Sequence, residues 1–277
     1  MTDSCDREMR NDLLRTGGLL TMILSMLAVV AGSSGGCLAD ETNSLFRREV
    51  FTSSSGESIP YRLMSPQNIE PGGTYPLVLF LHGAGERGTD NDRQLVHVAK
   101  ELATPELRKR YPVFVIAPQC PEKKRWVEVP WEEDQHLQPE VPSDPMKLVI
   151  ELLDESQKKL PIDPNRIYYV GLSMGGFGVW DLAQRQPDRC AGVIPICGGG
   201  DRTRAHVLKD VPVWAFHGDS DAVVKVFRSR DMIQAIREAG GHPVYTEYPG
   251  VGHDSWTQTA KNPLVWDWLF AQSRQHN

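Results

Sequence analysis

The sequence lacks the features that define several large classes of protein. Its formal net charge of −6 comes with no basic stripe, which argues against a nucleic acid as a partner. Neither a C-x-x-C nor an H-E-x-x-H motif occurs, so a dedicated metal site has no support. What remains is an ordinary globular composition, 40% hydrophobic and 24% charged, with enough material over 277 residues for a large core.

Cysteine is also scarce, and the five cysteines do not make a disulfide framework. Cys190 and Cys197 bracket a predicted strand over residues 191–196, whose extension separates them too far to bridge. Cys5 and Cys37 lie in an N-terminal segment that we expect to be removed or lipidated. The cysteines therefore point away from a small disulfide-stabilised fold.

The N-terminal apolar run, residues 19–31, is too short to span a bilayer and has the length of a signal-peptide h-region. Small residues follow, and Cys37-Leu38-Ala39 resembles a cleavage site. We therefore expect a signal peptide over 1–39 and a single mature domain over 40–277, exported to the periplasm or secreted, with no stable membrane span. The oligomeric state has no signal in the sequence.

Two details of this leader leave alternatives open. The extreme N-terminus carries Asp3, Asp6 and Glu8, whereas an export signal begins with a basic region. Translation from Met9 would restore that region, and we take it as a hypothesis. Cys37 also raises the alternative of a lipid anchor, although Ser34 fits such a site poorly.

The most informative stretch is RIYYVGLSMGGFGVW, residues 166–180. An apolar strand, a turn of the form Gly-x-Ser-x-Gly and a helix in that order predict a nucleophile elbow with Ser173 at its tip. Side chains at Gly171 or Gly175 would collide with the strand and the helix on either side. The alternative is a tight turn that contains a serine without catalytic use. A nucleophile also needs a base, an acid and an oxyanion site.

Strands alternate with helices along the mature chain, which predicts an α/β fold, a mostly parallel twisted sheet with helices on both faces. The strands are expected at 49–53, 59–64, 76–81, 112–117, 167–170, 191–196, 211–216 and 243–248, and the helices at 94–110, 146–160, 176–186, 224–239 and 263–272.

Residues 83–88, GAGERG, match the dinucleotide fingerprint G-x-G-x-x-G. We reject a nicotinamide site because Thr89 and the polar residues after it interrupt the required helix, and the next strand ends without an acidic residue. The loop is better interpreted as an oxyanion loop, with the backbone N–H groups of Ala84, Gly83 and Met174 as donors. His82 is expected to brace this loop.

His253, in a glycine-rich loop after the last strand, is the expected general base. The orienting acid should follow the penultimate strand, where both Asp219 and Asp221 fit; we favour Asp221 because Asp219 suits a turn, and Asp201 is an outside candidate. His217, at the end of that strand, is expected to make a structural hydrogen bond.

Six segments spread over the mature chain together resemble the α/β-hydrolase superfamily, in its carboxylesterase/phospholipase and "predicted peptidase" esterase branch, near polyhydroxybutyrate-depolymerase-like and feruloyl-esterase-like proteins. The resemblance implies serine-dependent ester hydrolysis through an acyl-enzyme, with no cofactor. The segments are LHGAGERGTDN (81–91), APQCP (117–121), DPNRIYYVGLSMGGFGVW (163–180), PICGGGD (195–201), HGDSDAVV (217–224) and PGVGHDSW (249–256).

The sequence leaves the substrate open. Trp126 and Trp131 either line a groove for a sugar or an aromatic ring or anchor the long loop over 118–144; Arg87 and Gln119 are further binding candidates. The leading hypothesis is a secreted esterase that removes acyl groups from polysaccharide or from small esters. A peptidase on the same triad and a non-catalytic binding scaffold are the alternatives.

Overall fold

A sheet of eight strands, in the order β1-β2-β4-β3-β5-β6-β7-β8, forms the centre of the computed structural model, which describes residues 42–274. The β1–β2 and β2–β4 pairs are antiparallel and every other pair is parallel. The strands are β1 (Arg47–Thr52), β2 (Ser58–Met64), β3 (Tyr75–Leu81), β4 (Phe114–Pro118), β5 (Ile162–Leu172), β6 (Gly192–Ile196), β7 (Trp214–Gly218) and β8 (Val244–Tyr248).

Within the described residues 42–274, seven α-helices connect or follow these strands. They are α1 (Val98–Leu102), α2 (Pro105–Arg110), α3 (Asp144–Lys159), α4 (Met174–Arg185), α5 (Phe227–Glu238), α6 (Trp256–Lys261) and α7 (Pro263–Ala271). Short 3₁₀ turns lie at Ala84–Glu86, Arg93–Leu95, Pro187–Arg189 and Arg202–Leu208.

The apolar run of β3 shows how the core is divided by the sheet. Leu77, Leu79 and Leu81 pack into one buried cluster with residues of α3, α4 and α5. Val78 and Phe80 point the other way, into a second cluster with residues of α1 and α7. Because successive strand residues face opposite sides, a strand buried on both faces is apolar throughout. The predicted α/β class, with helices on both faces of a mostly parallel sheet, is confirmed.

Several of the predicted elements differ from the structure, and the strand predicted over 167–170 is longer, at Ile162–Leu172. The helix predicted over 94–110 is two helices, because Thr104 caps a new helix with Pro105 at its first turn. The strand predicted over 211–216 lies at Trp214–Gly218, and the helix predicted from 224 begins at Phe227. The helix Trp256–Lys261 was not predicted.

The parallel strands direct four loops to one edge of the sheet. These loops follow the carboxyl ends of β3, β5, β7 and β8, which is where ligands bind in open α/β sheets. Between residues 42 and 274, no helix has both the length and the apolar character of a membrane span. The predicted signal peptide over 1–39, including Met9 and Cys37, lies outside the described residues.

Candidate active site

Ser173 occupies the sharp turn between β5 and α4. Its backbone has φ +52° and ψ −118°, a conformation that non-glycine residues adopt at a cost of about 1–3 kcal/mol. The Ser173 N–H donates to the Ile196 carbonyl at 2.9 Å, which ties the turn to the neighbouring strand. The turn therefore holds the hydroxyl clear of the sheet, as a nucleophile elbow requires.

The two glycines of the elbow are required by close backbone approach. A Cβ on Gly171 would lie 2.3 Å from the Gly175 carbonyl oxygen, and a Cβ on Gly175 would lie 1.9 Å from the Leu81 carbonyl oxygen. Both distances are far inside van der Waals contact with backbone that cannot move aside. The collision expected from the sequence is thus present on both sides of Ser173.

The structure brings Ser173, His253 and Asp221 together in one hydrogen-bonded row. His253 Nε2 lies 2.9 Å from Ser173 Oγ, and His253 Nδ1 lies 2.7 Å from Asp221 Oδ2. Because Asp221 accepts at Nδ1, the neutral imidazole has its free lone pair on Nε2, facing the serine hydroxyl. This arrangement can draw a proton from Ser173 while the carboxylate stabilises the imidazolium that forms.

The other acids considered from the sequence have different partners. Asp219 is exposed and accepts from the Gly250 N–H at 2.8 Å, so it ties down the loop that carries the histidine. Asp201 caps the 3₁₀ turn after it, accepting from the Thr203 N–H at 2.9 Å. Asp221 is the acid that lies against the imidazole.

The Asp221 side chain is fully buried, yet it is arranged to stay ionised. Burial alone would raise its pKa, but hydrogen bonds from His217 and His253, followed by those of the Val224 and Val223 amides, leave the pKa below its ordinary value. The two amides reach Oδ1 at 2.9 and 2.8 Å. The carboxylate is therefore both charged and fixed in orientation at neutral pH.

The predicted oxyanion loop lies beside the elbow. A Cβ on Gly83 would be only 3.6 Å from Ser173 Cβ, which shows how closely the loop backbone approaches the serine. Ala84 begins a 3₁₀ turn and Met174 begins α4. The first N–H groups of a helix have no partner inside it, so these two amides are available to an oxyanion.

His82 and Arg87 hold this loop in place. His82 Nδ1 donates to the Gly83 carbonyl at 2.6 Å, and Nε2 accepts from the Cys120 N–H at 2.9 Å. Burial lowers the pKa of His82 to about 4, so the ring is neutral and can serve as donor and acceptor at once. Arg87 Nε donates to the Ala84 carbonyl at 2.8 Å. These contacts agree with the bracing role expected for His82.

Two residues considered for substrate binding lie in the interior; for Trp126 this agrees with the anchoring alternative, and for Gln119 it corrects the expected substrate contact. Trp126 is completely buried and donates from Nε1 to the His82 carbonyl at 3.0 Å. Gln119 is equally buried and accepts from the Asn91 N–H at 2.7 Å. Both residues lie too deep to contact a substrate, because the long loop folds down onto the sheet around them.

Trp131 remains half-buried, with its ring 6.3 Å from that of Phe177 and the Arg125 guanidinium 4.1 Å from its centroid. Arg87 is also half-buried. These two residues therefore stay candidates for substrate contact.

Two residues near the triad were not singled out from the sequence. The Trp256 ring stands perpendicular to the His253 imidazole, with centroids 5.2 Å apart. The spacing of three residues between them, at the start of a helix, was the available signal. Cys197 follows β6 with φ +42°, and only the glycine run after it marks that strand end.

One atom each of Cys197, Asp221 and His253 lie within 4.8 Å of one another, a spacing that a metal ion could use. Two observations disfavour that use. Asp221 and His253 already hydrogen bond each other. Burial raises the pKa of the Cys197 thiol well above its ordinary value, which opposes the thiolate that a metal needs.

Comparison with known proteins places the chain in a family. The family model described as phospholipase/carboxylesterase matches residues 71–262. A protein of Oryza sativa subsp. japonica named as a probable carboxylesterase is 27% identical over 200 residues, covering 65% of this chain and 82% of that protein. The crystal structure of a thermostable esterase has a TM-score of 0.79 and 40% identity, covering 84% of this chain and 64% of that one.

Other matches add less. NocK of Nocardia uniformis subsp. tsuyamanensis is 28% identical over 149 residues, which are 53% of this chain and 40% of NocK. This chain thus spans less than two thirds of the length of NocK and of the thermostable esterase. A feruloyl esterase module from Clostridium thermocellum, with a TM-score of 0.61, 14% identity and coverage of 84% and 90%, shares the fold alone. Since the family model covers well over half of the sequence, the chain belongs to the phospholipase/carboxylesterase family of α/β-hydrolases.

Proposed function

We propose that this chain is a serine carboxylesterase that hydrolyses carboxylic esters through an acyl-enzyme on Ser173. The observation that carries the proposal is the row of contacts from Ser173 Oγ to His253 Nε2 at 2.9 Å and from His253 Nδ1 to Asp221 Oδ2 at 2.7 Å. The family to which the chain belongs supports the same class of reaction.

The reaction follows from these positions. His253 Nε2 takes the Ser173 proton while Oγ attacks the ester carbonyl, and the new oxyanion is held by the Ala84 and Met174 amides, with Gly83 beside them. His253 then gives its proton to the alkoxide, so the alcohol leaves and the acyl group stays on Ser173. Water repeats the sequence, with His253 as base, and releases the acid. Each oxyanion donor is typically worth roughly 100- to 1,000-fold in rate.

The first experiment compares the purified mature chain with its Ser173→Ala variant on p-nitrophenyl acetate. We expect hydrolysis by the wild type and a loss of about a millionfold in kcat for the variant, the scale seen when a triad serine is removed. A fluorophosphonate probe should label the wild type once, at Ser173, and should not label the variant. The matched control is Ser220→Ala, an exposed serine in the loop over residues 219–224 that carries Asp221 (the acid loop), and it should behave as wild type.

Two alternatives give different results in the same assays. A peptidase on the same triad would cleave peptide amides at rates comparable to esters. A non-catalytic scaffold would show neither turnover nor labelling of Ser173. Ester turnover without amide turnover supports the proposal, and either of the other outcomes contradicts it.

The natural substrate forms a finer part of the proposal. We assign to the enzyme the removal of acyl groups from polysaccharide or from small esters. Trp131 and Arg87 are the residues that we propose for substrate contact. A panel of acetyl, feruloyl and longer acyl esters should show one preferred acyl group. Equal rates across the panel would contradict a defined acyl site.

Export completes the proposal, and it is supported by the signal-peptide pattern of residues 1–39. Expression of the full chain in a bacterial host should yield a mature protein that starts near Asp40, measured by intact mass. A mature mass that includes the leader would contradict it. Detergent partitioning of Cys37→Ser against the parent would reveal a lipid anchor, the second possibility.

A further inference from the structure

His217 is a buried histidine that none of the proposed chemical steps uses. It is the fourth residue of β7, has no exposed surface, and sits directly beneath the acid loop. Its Nε2 lies 3.0 Å from the Val224 carbonyl oxygen and 3.2 Å from Asp221 Oδ2. Its Nδ1 lies 2.8 Å from the Ser229 hydroxyl, which belongs to the first turn of α5.

These partners determine how the ring is used. Both neighbours of Nε2 are oxygen acceptors, so this nitrogen carries the proton, which it donates to the Val224 carbonyl at 3.0 Å while the Asp221 carboxylate oxygen lies beside it at 3.2 Å. The Ser229 hydroxyl satisfies the opposite nitrogen and is itself fully buried, with Gly198 O as a second neighbour at 3.2 Å. The imidazole therefore has a fixed orientation, set from the helix side, with its N–H aimed at the acid loop.

The contacts close a ring around Asp221. The Val224 amide binds Asp221 Oδ1 at 2.9 Å, while the Val224 carbonyl accepts from His217. Oδ2 accepts from His253 Nδ1 at 2.7 Å and lies 3.2 Å from His217 Nε2. The backbone amides of Val223 and Val224 hold Oδ1, and His217 adds a second side chain beside His253 on the Oδ2 side of the carboxylate.

The two histidines on the Oδ2 side differ in exposure. The His253 side chain is 20% exposed and sits on a loop, whereas His217 is completely buried in the sheet. An anchor for the carboxylate has to be more rigid than the base that it serves, since a shift of about 1 Å in a catalytic group can cost 100-fold in rate.

We propose that His217 is a positioning residue, which fixes the Asp221 carboxylate and the 221–224 turn so that Oδ2 faces His253 before any substrate arrives. The inference rests on the proposed function, since it assigns His217 a role in the same reaction. His217 touches neither substrate nor the reacting atoms, and acts only through Asp221.

The test is a double-mutant cycle between His217→Phe and Asp221→Asn, with kcat and KM measured on p-nitrophenyl acetate. We expect His217→Phe to lower kcat by about 10- to 100-fold in the wild-type background, with KM changed by less than about twofold. In the Asp221→Asn background the same change should cost less than about twofold, because the group that His217 positions is already lost.

His217→Gln provides the conservative comparison. Its amide nitrogen reaches about as far as Nε2, so it should recover most of the kcat that His217→Phe loses. His242→Gln, an exposed histidine remote in sequence from the acid loop, is the control and should leave kcat unchanged. Circular dichroism of each variant checks that the fold is retained.

A purely structural His217 would give other results. Equal losses in both Asp221 backgrounds, equal effects of Phe and Gln, or a rise in KM would each overturn the inference. The rate of fluorophosphonate labelling of Ser173 measures the reactivity of the serine without an ester substrate, so the same double-mutant cycle can be run on that rate. Normal labelling without ester turnover would overturn the proposed reaction and leave His217 to be judged by the labelling cycle, whereas no labelling of the wild type would overturn both.

Discussion

The two loops that flank Ser173 are fixed by opposite means. The acid loop is built around a buried charge, the Asp221 carboxylate, whose pKa is held below its ordinary value by hydrogen bonds that outweigh burial. The oxyanion loop is built around a buried histidine, His82, whose pKa burial lowers to about 4 so that it stays uncharged. One loop depends on keeping a charge and the other on never acquiring one.

This difference predicts how each loop fails in acid. His82 must take up a proton in the unfolded chain below its ordinary pKa of 6.5, while the folded chain resists protonation down to about 4. Asp221 starts from an ordinary pKa of 3.8 and is held lower in the folded chain. The oxyanion loop should therefore lose its contribution to stability first as the pH falls, and the acid loop only below about pH 4.

The largest expected effect tests the acid loop and its charged Asp221. Asp221→Asn removes the carboxylate but keeps the shape, so kcat should fall by about four orders of magnitude while the fold survives. The measurement is kcat on p-nitrophenyl acetate together with the far-ultraviolet circular dichroism spectrum.

Asp219→Asn is the matched control for that change. Its side chain can still accept from the Gly250 N–H through the amide oxygen. We expect activity within about threefold of wild type, the range of a single weakened surface contact. A large loss at Asp219 with a small one at Asp221 would reverse the assignment of the acid.

The second-largest expected effect tests the oxyanion loop. Ala84→Pro deletes one proposed oxyanion donor, and the backbone tolerates proline there because Ala84 opens a 3₁₀ turn and Gly83 is extended, with φ −78° and ψ −178°. We expect kcat to fall by roughly 100- to 1,000-fold with little change in KM. Ala84→Ser keeps the N–H and should retain activity, so equal losses in the two variants would contradict the donor role.

The third effect concerns stability rather than rate. The unfolded chain binds a proton at residue 82 between pH 6.5 and about 4 and the folded chain does not, so the free energy of unfolding should decline by about 3 kcal/mol across that window. His82→Gln should flatten this part of the curve, measured by urea unfolding at stepped pH. His136, whose pKa burial also lowers to about 4, contributes a slope of the same sign.

The outcome shows what a sequence can specify at such a site. Three features were predictable: the elbow, the strand–helix alternation and the loop carrying His253. Each depends on local backbone conformation, which glycine spacing and apolar runs show directly in the sequence. Burial was not predictable. The long loop over 118–144 has no periodicity, so nothing local showed that Trp126 turns inward while Trp131 stays half-exposed. The contact of His217 with Asp221 likewise depends on how β7 and the turn after it fold together.

The smallest expected effect tests the buried Trp126. Trp126→Phe keeps a ring beside His82, with which the indole now makes an edge contact at 5.2 Å, but it deletes the donor to the His82 carbonyl. We expect the free energy of unfolding to fall by about 1–2 kcal/mol, the cost of an unmade buried hydrogen bond, with KM unchanged.

Trp131→Phe is its counterpart, because the structure gives the Trp131 indole N–H no partner among the described residues. Its loss should cost less than about 0.5 kcal/mol, as expected where no bond is broken. If Trp126→Phe instead raised KM and left stability unchanged, the indole would have to reach the substrate. The long loop would then open during catalysis, and the oxyanion loop would lose its status as a rigid partner to the acid loop.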